Sequence, residues 1–327
     1  MANILIVGAG QLGSRHLQSL ASLDKQNNIF VVDPSQDALE VAKSRYSQVS
    51  SVESPVDVIY QSGYEGIPYK IDVCIVATNA AHRFTVIKEI TKWFEFRFLV
   101  LEKVLFQNTE ELYLAQQLLK ENNIPTWVNC PRRMFSVYQS LKTRVEGSHQ
   151  LKFRVEGAEW GLACNSIHFI DLWAFLVAQS DYRIDLAELD EKIFPSKRPG
   201  YSEVYGTISG GIENFTFSLT CDLLQEGGSA IPLVITIETD EAIMELNEAE
   251  QQFKILDLDG NQVEVIDFKV RFQSEMSSEV VEMLLKKGDC NLTPFNESLQ
   301  LHSPFLNAML EFFNKHSDSA LSKCPIT

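Results

Sequence analysis

The stretch Ile4-Leu5-Ile6-Val7-Gly8-Ala9-Gly10-Gln11-Leu12-Gly13-Ser14-Arg15-His16 decides how the rest of the chain is read. Four apolar residues, two of them β-branched isoleucines and one valine, form a short strand suited to burial on both faces. The glycines at 8, 10 and 13 then fit G-x-G-x-x-G at a strand-to-helix turn. Gly8 permits the tight turn, Gly10 lets backbone approach a pyrophosphate, and Gly13 allows close packing of helix on strand. The following helix offers unpaired N–H groups and a positive dipole end to phosphates. Gln11 and Leu12 sit in its first turn, beside the same phosphates.

A glycine turn alone is weak evidence, but this one has context. An amphipathic run follows it (Leu12, Leu17, Leu20, Leu23), and then a second strand, Ile29-Phe30-Val31-Val32-Asp33. Asp33 stands where a carboxylate accepts hydrogen bonds from an adenosine ribose. The carboxylate repels a 2′-phosphate, so NAD is the expected cofactor ahead of NADP. Arg45, on the next helix, is expected to lie too far away to reverse that preference.

Strand and helix continue to alternate. A helix is expected over Gln36 to Tyr46 with Ser35 as N-cap, a buried strand over Ile71 to Thr78, and a helix over Ala80 to Trp93. Phe98 to Lys103 reads as a strand, 109–122 as an amphipathic helix, and Ile124 to Asn129 as the next strand. Residues 47–70 are mixed and carry no clear pattern. This alternation predicts a doubly wound, mostly parallel sheet over residues 1–129. Past residue 130 the pattern changes. A hydrophobic helix near Ser166 to Ala178 precedes short alternating runs at 214–220, 233–239, 244–246, 253–256 and 263–266, and a helix over Pro304 to Lys315 follows. Residues 130–327 are therefore expected to form an α+β domain with a largely antiparallel open sheet, and the whole chain is α/β.

The chain has 327 residues, 45% hydrophobic and 22% charged, a globular composition long enough for two cores. No run of about 18 apolar residues suggests a membrane span, and the first strand begins without room for a signal peptide. Six scattered cysteines with no C-x-x-C spacing are expected to be reduced thiols of a cytoplasmic protein without a metal site. The net charge of −16 argues against nucleic-acid or anionic-membrane partners.

Ligands of open α/β sheets bind beyond the carboxyl ends of the strands. That selects Gly8 to Gly13, Asp33, Thr78, Asn79, Glu102, Lys103 and Asn129. Lys103 could stabilise developing alkoxide charge or move a proton, or it could be a solvated strand-end lysine. In the second half, Asn165, His168 and Asp171 share one side of a helix that is otherwise apolar. They suit a ligand site with a proton-transferring imidazole, or a buried network that fixes packing. Arg132-Arg133 and Lys197-Arg198 could hold a phosphate or carboxylate, or be paired or solvated. Trp160 could stack on a sugar face or pack in the core.

With these residues in view, the sequence resembles the glucose–fructose oxidoreductase, inositol dehydrogenase and MocA-like (Gfo/Idh/MocA) oxidoreductases. The resemblance rests on Gly8 to His16, on Ala77-Thr78-Asn79-Ala80-Ala81-His82, on Glu102-Lys103, and on His168-x-x-Asp171. It implies an NAD(P)-dependent oxidoreductase acting on a sugar or cyclitol, with a Rossmann domain and an α/β domain that supports a homo-oligomer, dimer or tetramer. It makes Lys103 and His168 catalytic, and Thr78, Asn79, His82 and Glu102 cofactor-lining. Asn129, Asn165, Arg132 and Arg133 become substrate-binding candidates, the arginines suiting a nucleotide-linked or acidic sugar of surface polysaccharide metabolism. Two departures stand out. Val104 replaces the usual proline, so a trans peptide is expected after Lys103, because a non-proline cis bond costs about 3 kcal/mol. Cys164 stands where many members have an aspartate. These departures also admit an NAD-binding sensor or scaffold without catalysis, or a lyase or hydrolase that keeps its NAD tightly bound.

Overall fold

The computed structural model describes residues 2–23, 27–49, 58–224, 231–317 and 319–327. The chain folds into two compact units. Unit 1 comprises Met1–Phe106, Glu110–Asn129 and Arg271–Phe295; unit 2 comprises Gln107–Thr109, Cys130–Val270 and Asn296–Thr327.

Through residue 129 the elements run β1 (Asn3–Val7), α1 (Gln11–Leu20), β2 (Asn28–Val32), α2 (Gln36–Ser47), β3 (Val58–Gln61), β4 (Lys70–Val76) and α3 (Ala80–Trp93), followed by β5 (Glu95–Leu101), α4 (Thr109–Glu121) and β6 (Thr126–Val128). From residue 130 come α5 (Ser136–Val145), β7 (Leu151–Ala158), α6 (Leu162–Val177), β8 (Arg183–Leu189), β9 (Phe194–Pro195), β10 (Ser202–Glu203), β11 (Gly206–Ile212) and β12 (Phe215–Asp222). The remainder is β13 (Val234–Thr239), β14 (Ile243–Asn247), β15 (Gln252–Leu256), β16 (Gln262–Asp267), α7 (Gln273–Lys287), β17 (Thr293–Pro294) and α8 (Phe295–Lys315).

Among the described residues, unit 1 is built on a sheet in the order β17-β6-β5-β4-β1-β2-β3. Every pairing in it is parallel except β17 with β6. Ile4, Leu5, Ile6, Val73, Cys74 and Leu99 are inaccessible to solvent, as strands covered on both faces require. The order reverses between β1 and β4, the switch point at which such sheets bind ligands. Residues 271–295 join this unit although they follow the second sheet in sequence. Helix α7 packs on α1, with Ser278 N donating to Ser19 Oγ at 2.9 Å.

Unit 2 carries a sheet in the order β16-β15-β14-β13-β7-β12-β11-β8. It is antiparallel apart from the β7–β12 pair. Strand β7, Leu151-Lys152-Phe153-Arg154-Val155, alternates buried and more exposed residues in the way that one covered face demands. Helix α6 covers that face, with Trp173 packed on Phe217 of β12 at 5.2 Å between ring centroids. Two helices begin earlier than their patterns suggest: α6 at Leu162, which puts Cys164 and Asn165 in its first turn, and α8 at Phe295 with Pro304 inside it. No helix among the described residues is long and apolar enough to cross a membrane.

Candidate functional site

In unit 1 the polar residues selected from the sequence gather at the carboxyl ends of adjacent strands. Gly8 takes φ +96°, which favours glycine, and its N–H donates to Val32 O at 2.8 Å. A Cβ on Gly13 would lie 1.8 Å from Gly8 O, so the helix can approach the turn this closely only without a side chain. A Cβ on Gly10 would meet nothing within 4 Å. Gly10 is the N-cap of α1, whose first turn has neither a side-chain cap nor an acidic residue. The result is an open backbone cradle with free N–H groups, which suits a diphosphate.

Asp33, at the tip of β2, is anchored against that turn. Its Oδ2 accepts from Ala9 N at 2.7 Å and its Oδ1 from Ser35 N at 2.8 Å. Arg45, expected to lie too far away to reverse the preference for NAD, reaches the first turn of α1. Its Nη1 donates to Ser14 Oγ at 2.6 Å and its Nη2 to Gln11 Oε1 at 2.6 Å. The long side chain reaches across from α2 to the first turn of α1.

At the end of β4, Thr78 Oγ1 is buried with no partner among the described residues, a polar atom suited to a ligand. Asn79 caps α3 by accepting from His82 N at 3.3 Å, which holds the Thr78–His82 segment in place. The open cradle and the Thr78 hydroxyl both fit a bound dinucleotide.

The end of β5 carries Glu102 and Lys103. Glu102 is 3% exposed and accepts from Asn129 Nδ2 at 2.7 Å, and its Oε1 lies 2.7 Å from His16 Nε2. His16 Nδ1 is 2.7 Å from Ser277 Oγ, and Asn129 Nδ2 also donates to Gln273 Oε1 at 2.8 Å. Burial pushes the Glu102 carboxyl up, but the hydrogen bond and charge of His16, the Asn129 amide and the Arg83 charge together leave it below its ordinary value. This network ties α1, the ends of β5 and β6, and α7 together. Asn129, a substrate-binding candidate, is 95% buried within this network, where its amide donates to Glu102 and Gln273.

Lys103 itself is half-buried. The Lys103–Val104 peptide is cis although no proline is present, which corrects the expectation of a trans bond. The neighbouring backbone is held from outside the segment. The buried Arg83 guanidinium donates to the carbonyls of Val104, Leu105 and Thr78, so one side chain fixes the ends of β4 and β5 together.

In unit 2, Gly161 is the N-cap of α6, at φ +82°. Glu203 reaches in from β10. Its Oε1 accepts from Ala163 N and, at 3.2 Å, from Val204 N, and it also takes a hydrogen bond from the Cys164 thiol. A carboxylate therefore does stand beside Cys164, delivered from another element. No spacing in the sequence links Glu203 to α6, so it had no local signal. Asn165 Nδ2 donates to Trp160 O at 2.7 Å, and His168 lies half-buried one turn further on. Trp160 is committed to packing: its Nε1 donates to Thr220 O at 2.9 Å and its ring meets Phe169 edge-on at 5.2 Å.

The arginines expected to hold an anionic substrate meet carboxylates of the chain itself. Arg132 grips Glu248 through two bonds of 2.9 Å and lies over the Phe169 ring. Arg133 grips Asp171 at 2.7 and 2.9 Å and also meets Glu297 at 2.7 Å. Both forks are filled by carboxylates of the chain itself, the geometry a guanidinium also uses for ligands. Asp171 thereby leaves the candidate cluster for a structural pair, while Asn165 and His168 remain. Lys103 belongs to unit 1 and His168 to unit 2.

Residues 2–130 match the family model described as "Oxidoreductase family, NAD-binding Rossmann fold". Comparison with curated proteins finds no match. Among solved structures, UDP-N-acetylglucosamine 3-dehydrogenase from Acidithiobacillus ferrooxidans is similar at TM-score 0.66 and 13% identity, over 94% of this chain and 96% of that one. Biliverdin reductase from Synechocystis sp. PCC 6803, solved with biliverdin and NADP+, reaches TM-score 0.67 at 12% identity, over 92% of this chain and 96% of that one. An oxidoreductase from Agrobacterium radiobacter, in complex with NAD+, L-tartaric acid and magnesium, reaches 0.65 at 12% identity, over 93% and 94%. At such identities the likeness speaks for the fold, and substrates as different as a sugar nucleotide and a tetrapyrrole share it. Over residues 2–130, the chain is therefore similar to an oxidoreductase family with an NAD-binding Rossmann fold.

Proposed function

We propose that this oxidoreductase uses NAD, in preference to NADP, to interconvert a hydroxyl and a carbonyl on a neutral sugar or cyclitol. The observation that carries the reading lies within unit 1. The open glycine cradle, the anchored Asp33, the partnerless Thr78 hydroxyl and Lys103 all occupy the carboxyl ends of neighbouring parallel strands. Gly10, Gln11 and Leu12 would present backbone N–H groups to the diphosphate, Asp33 would take the ribose, and Thr78, Asn79 and His82 would flank the cofactor. When bound, NAD supplies the hydride acceptor or donor.

The chain's own groups handle the rest. Lys103 presents an ammonium to the substrate oxygen and stabilises charge that develops there. His168 takes up or returns the hydroxyl proton, the role suited to an imidazole near neutral pH. Asn165 orients a neighbouring hydroxyl. An acidic or nucleotide-linked substrate is not part of this reading, because Arg132 and Arg133 are closed by Glu248, Asp171 and Glu297. We further propose a cytoplasmic homo-oligomer, dimer or tetramer, acting on a small molecule.

The test is a thermal-shift screen of neutral sugars and cyclitols in the presence of NADH, followed by turnover measurements on the hits. Lys103→Ala and His168→Ala should each lower turnover by ~10²–10⁴ while leaving NAD affinity intact. Near-wild-type turnover in both variants would overturn the assignment. Cofactor that co-purifies without net NADH release would favour chemistry that returns the hydride within one cycle.

A further inference from the structure

A cavity of about 460 Å³ lies wholly within unit 2, at the C-terminal end of α6, and none of Cys164, Asn165 and His168 lines it. That volume falls in the range of small-molecule sites. Arg133, Lys142, Phe175, Gln179, Glu297 and Gln300 line it. They come from the turn before α5, from α5, from α6 and the residues after it, and from α8.

These groups differ in what already holds them. Arg133 closes one edge of its guanidinium on Asp171 and Glu297 through Nε and Nη2. Its Nη1, with two N–H groups, has no partner among the described residues. The Lys142 ammonium lies 4.1 Å from the centroid of the Phe175 ring, and the Arg133 guanidinium carbon lies 5.3 Å from the same centroid. Among the described residues, Lys142 makes no hydrogen bond or ion pair, so its three donors are open to a ligand. On α8, Glu297 gives Oε1 to Arg133, and Oε2 remains an acceptor. Ser180 donates to Gln300 Oε1, which leaves Gln300 Nε2 as a donor. The charges around the cavity balance, Arg133 and Lys142 against Asp171 and Glu297. A phosphate would find no net positive field there. A molecule that presents one carboxylate and one hydrogen-bond donor would find a partner for each.

We propose that this cavity binds a small carboxylate that also bears an amino or hydroxyl group. The carboxylate accepts from Lys142 and from Nη1 of Arg133, charge-assisted bonds stronger than neutral ones. The amino or hydroxyl group donates to Glu297, and the Gln300 amide completes the polar wall. An occupant shares Arg133 with Asp171, one turn after His168 on α6, so the site is joined to the helix that carries the proposed acid–base group.

The test is calorimetric titration of the intact chain, without NAD, using four ligands of one shape: L-2-aminobutyrate, L-2-hydroxybutyrate, butyrate and 2-butanol. At least one of the first two should saturate a single site below about 10 mM, with butyrate and 2-butanol at least about tenfold weaker. Preference for the amino acid identifies the donor as an amine, and preference for the hydroxy acid identifies it as a hydroxyl. Lys142→Met should weaken that binding about tenfold or more at an unchanged melting temperature, and Lys142→Arg should recover part of the loss. Lys103→Ala should leave it as in wild type. No saturation by either substituted acid, equal binding of butyrate, wild-type affinity in Lys142→Met, or loss in Lys103→Ala would each overturn the proposal. No turnover is measured, so failure here leaves the roles given to Lys103 and His168 untouched.

Discussion

Helices α1 and α6 both begin at a glycine N-cap, yet the two turns end up opposite in kind. At α1 a Cβ on Gly10 would meet open space, and no side chain caps the first N–H groups. At α6 a Cβ on Gly161 would lie 3.0 Å from Asn165 Nδ2 and 3.2 Å from Glu203 Oε2, and Ala163 N already donates to that carboxylate. Unpaired helix N–H groups are a ready anion site. One turn therefore has no side-chain cap, and the other is capped from within by Glu203. The lesson extends to charge. Arg45, beside the open turn, meets neutral oxygens, whereas Arg133 is locked to Asp171 on the closed helix.

The closed side should be the more costly to break. Arg133→Met would strip the guanidinium from Asp171, which is 1% exposed, and from Glu297. Removing one partner of a buried ion pair costs ~3–5 kcal/mol, because the remaining charge stays desolvated. Urea denaturation should show this loss with NAD affinity unchanged. A change below ~1 kcal/mol would mean that Asp171 is solvated or protonated without Arg133, and the helix would not be closed from within.

The same contrast explains what the sequence could reveal. Unit 1 was legible because its signals are local: the glycines at 8, 10 and 13, Asp33 at the tip of the next strand, and apolar runs separated by amphipathic helices. A diphosphate cradle is made by backbone within six residues, so spacing encodes it. The partners that close α6 are remote. Glu248 lies 116 residues from Arg132, and Asp171 lies 38 and Glu297 164 from Arg133. No periodicity reports such pairings, so the sequence left open whether the arginines hold an anion or are paired within the chain. The same limit hid Glu203, the return of α7 to unit 1, and the reach of Arg45 to Gln11, which depends on how α2 packs on α1. The cis Lys103–Val104 peptide escaped for a related reason, since the groups beside it are held by Arg83 from a different helix.

Glu203 allows a finer test of the closed turn. Burial raises its carboxyl pKa in the fold, against the opposing pull of Ala163 N, Val204 N and the Cys164 thiol. The folded chain therefore holds this proton to higher pH than the unfolded chain, whose carboxyl titrates near an ordinary value of about 4.3. Stability from this group is largest below that value and falls as pH rises through the folded pKa. Glu203→Gln should remove this fall, flattening the melting temperature against pH on the acid side. Glu203→Ala, which leaves the α6 donors without their cap, should cost ~1–3 kcal/mol. A pH profile in Glu203→Gln that matches wild type would show that the carboxyl titrates as if exposed.

The smallest expected change in stability is also the most direct test of the comparison. Gly10 has φ −63° and ψ −158°, values open to alanine, and its missing Cβ points at nothing within 4 Å. Gly10→Ala should therefore leave the melting temperature of the cofactor-free chain near wild type. The added methyl would stand where backbone must approach a diphosphate, so NAD affinity should fall about tenfold or more. Gly161→Ala should do the reverse. With φ +82° and two polar groups at 3.0–3.2 Å, it should cost at least ~1 kcal/mol of stability and leave NAD affinity alone. If Gly10→Ala bound NAD as wild type does, the open turn of α1 would not be the phosphate cradle. Its lack of a cap would then carry no more meaning than the filled turn of α6.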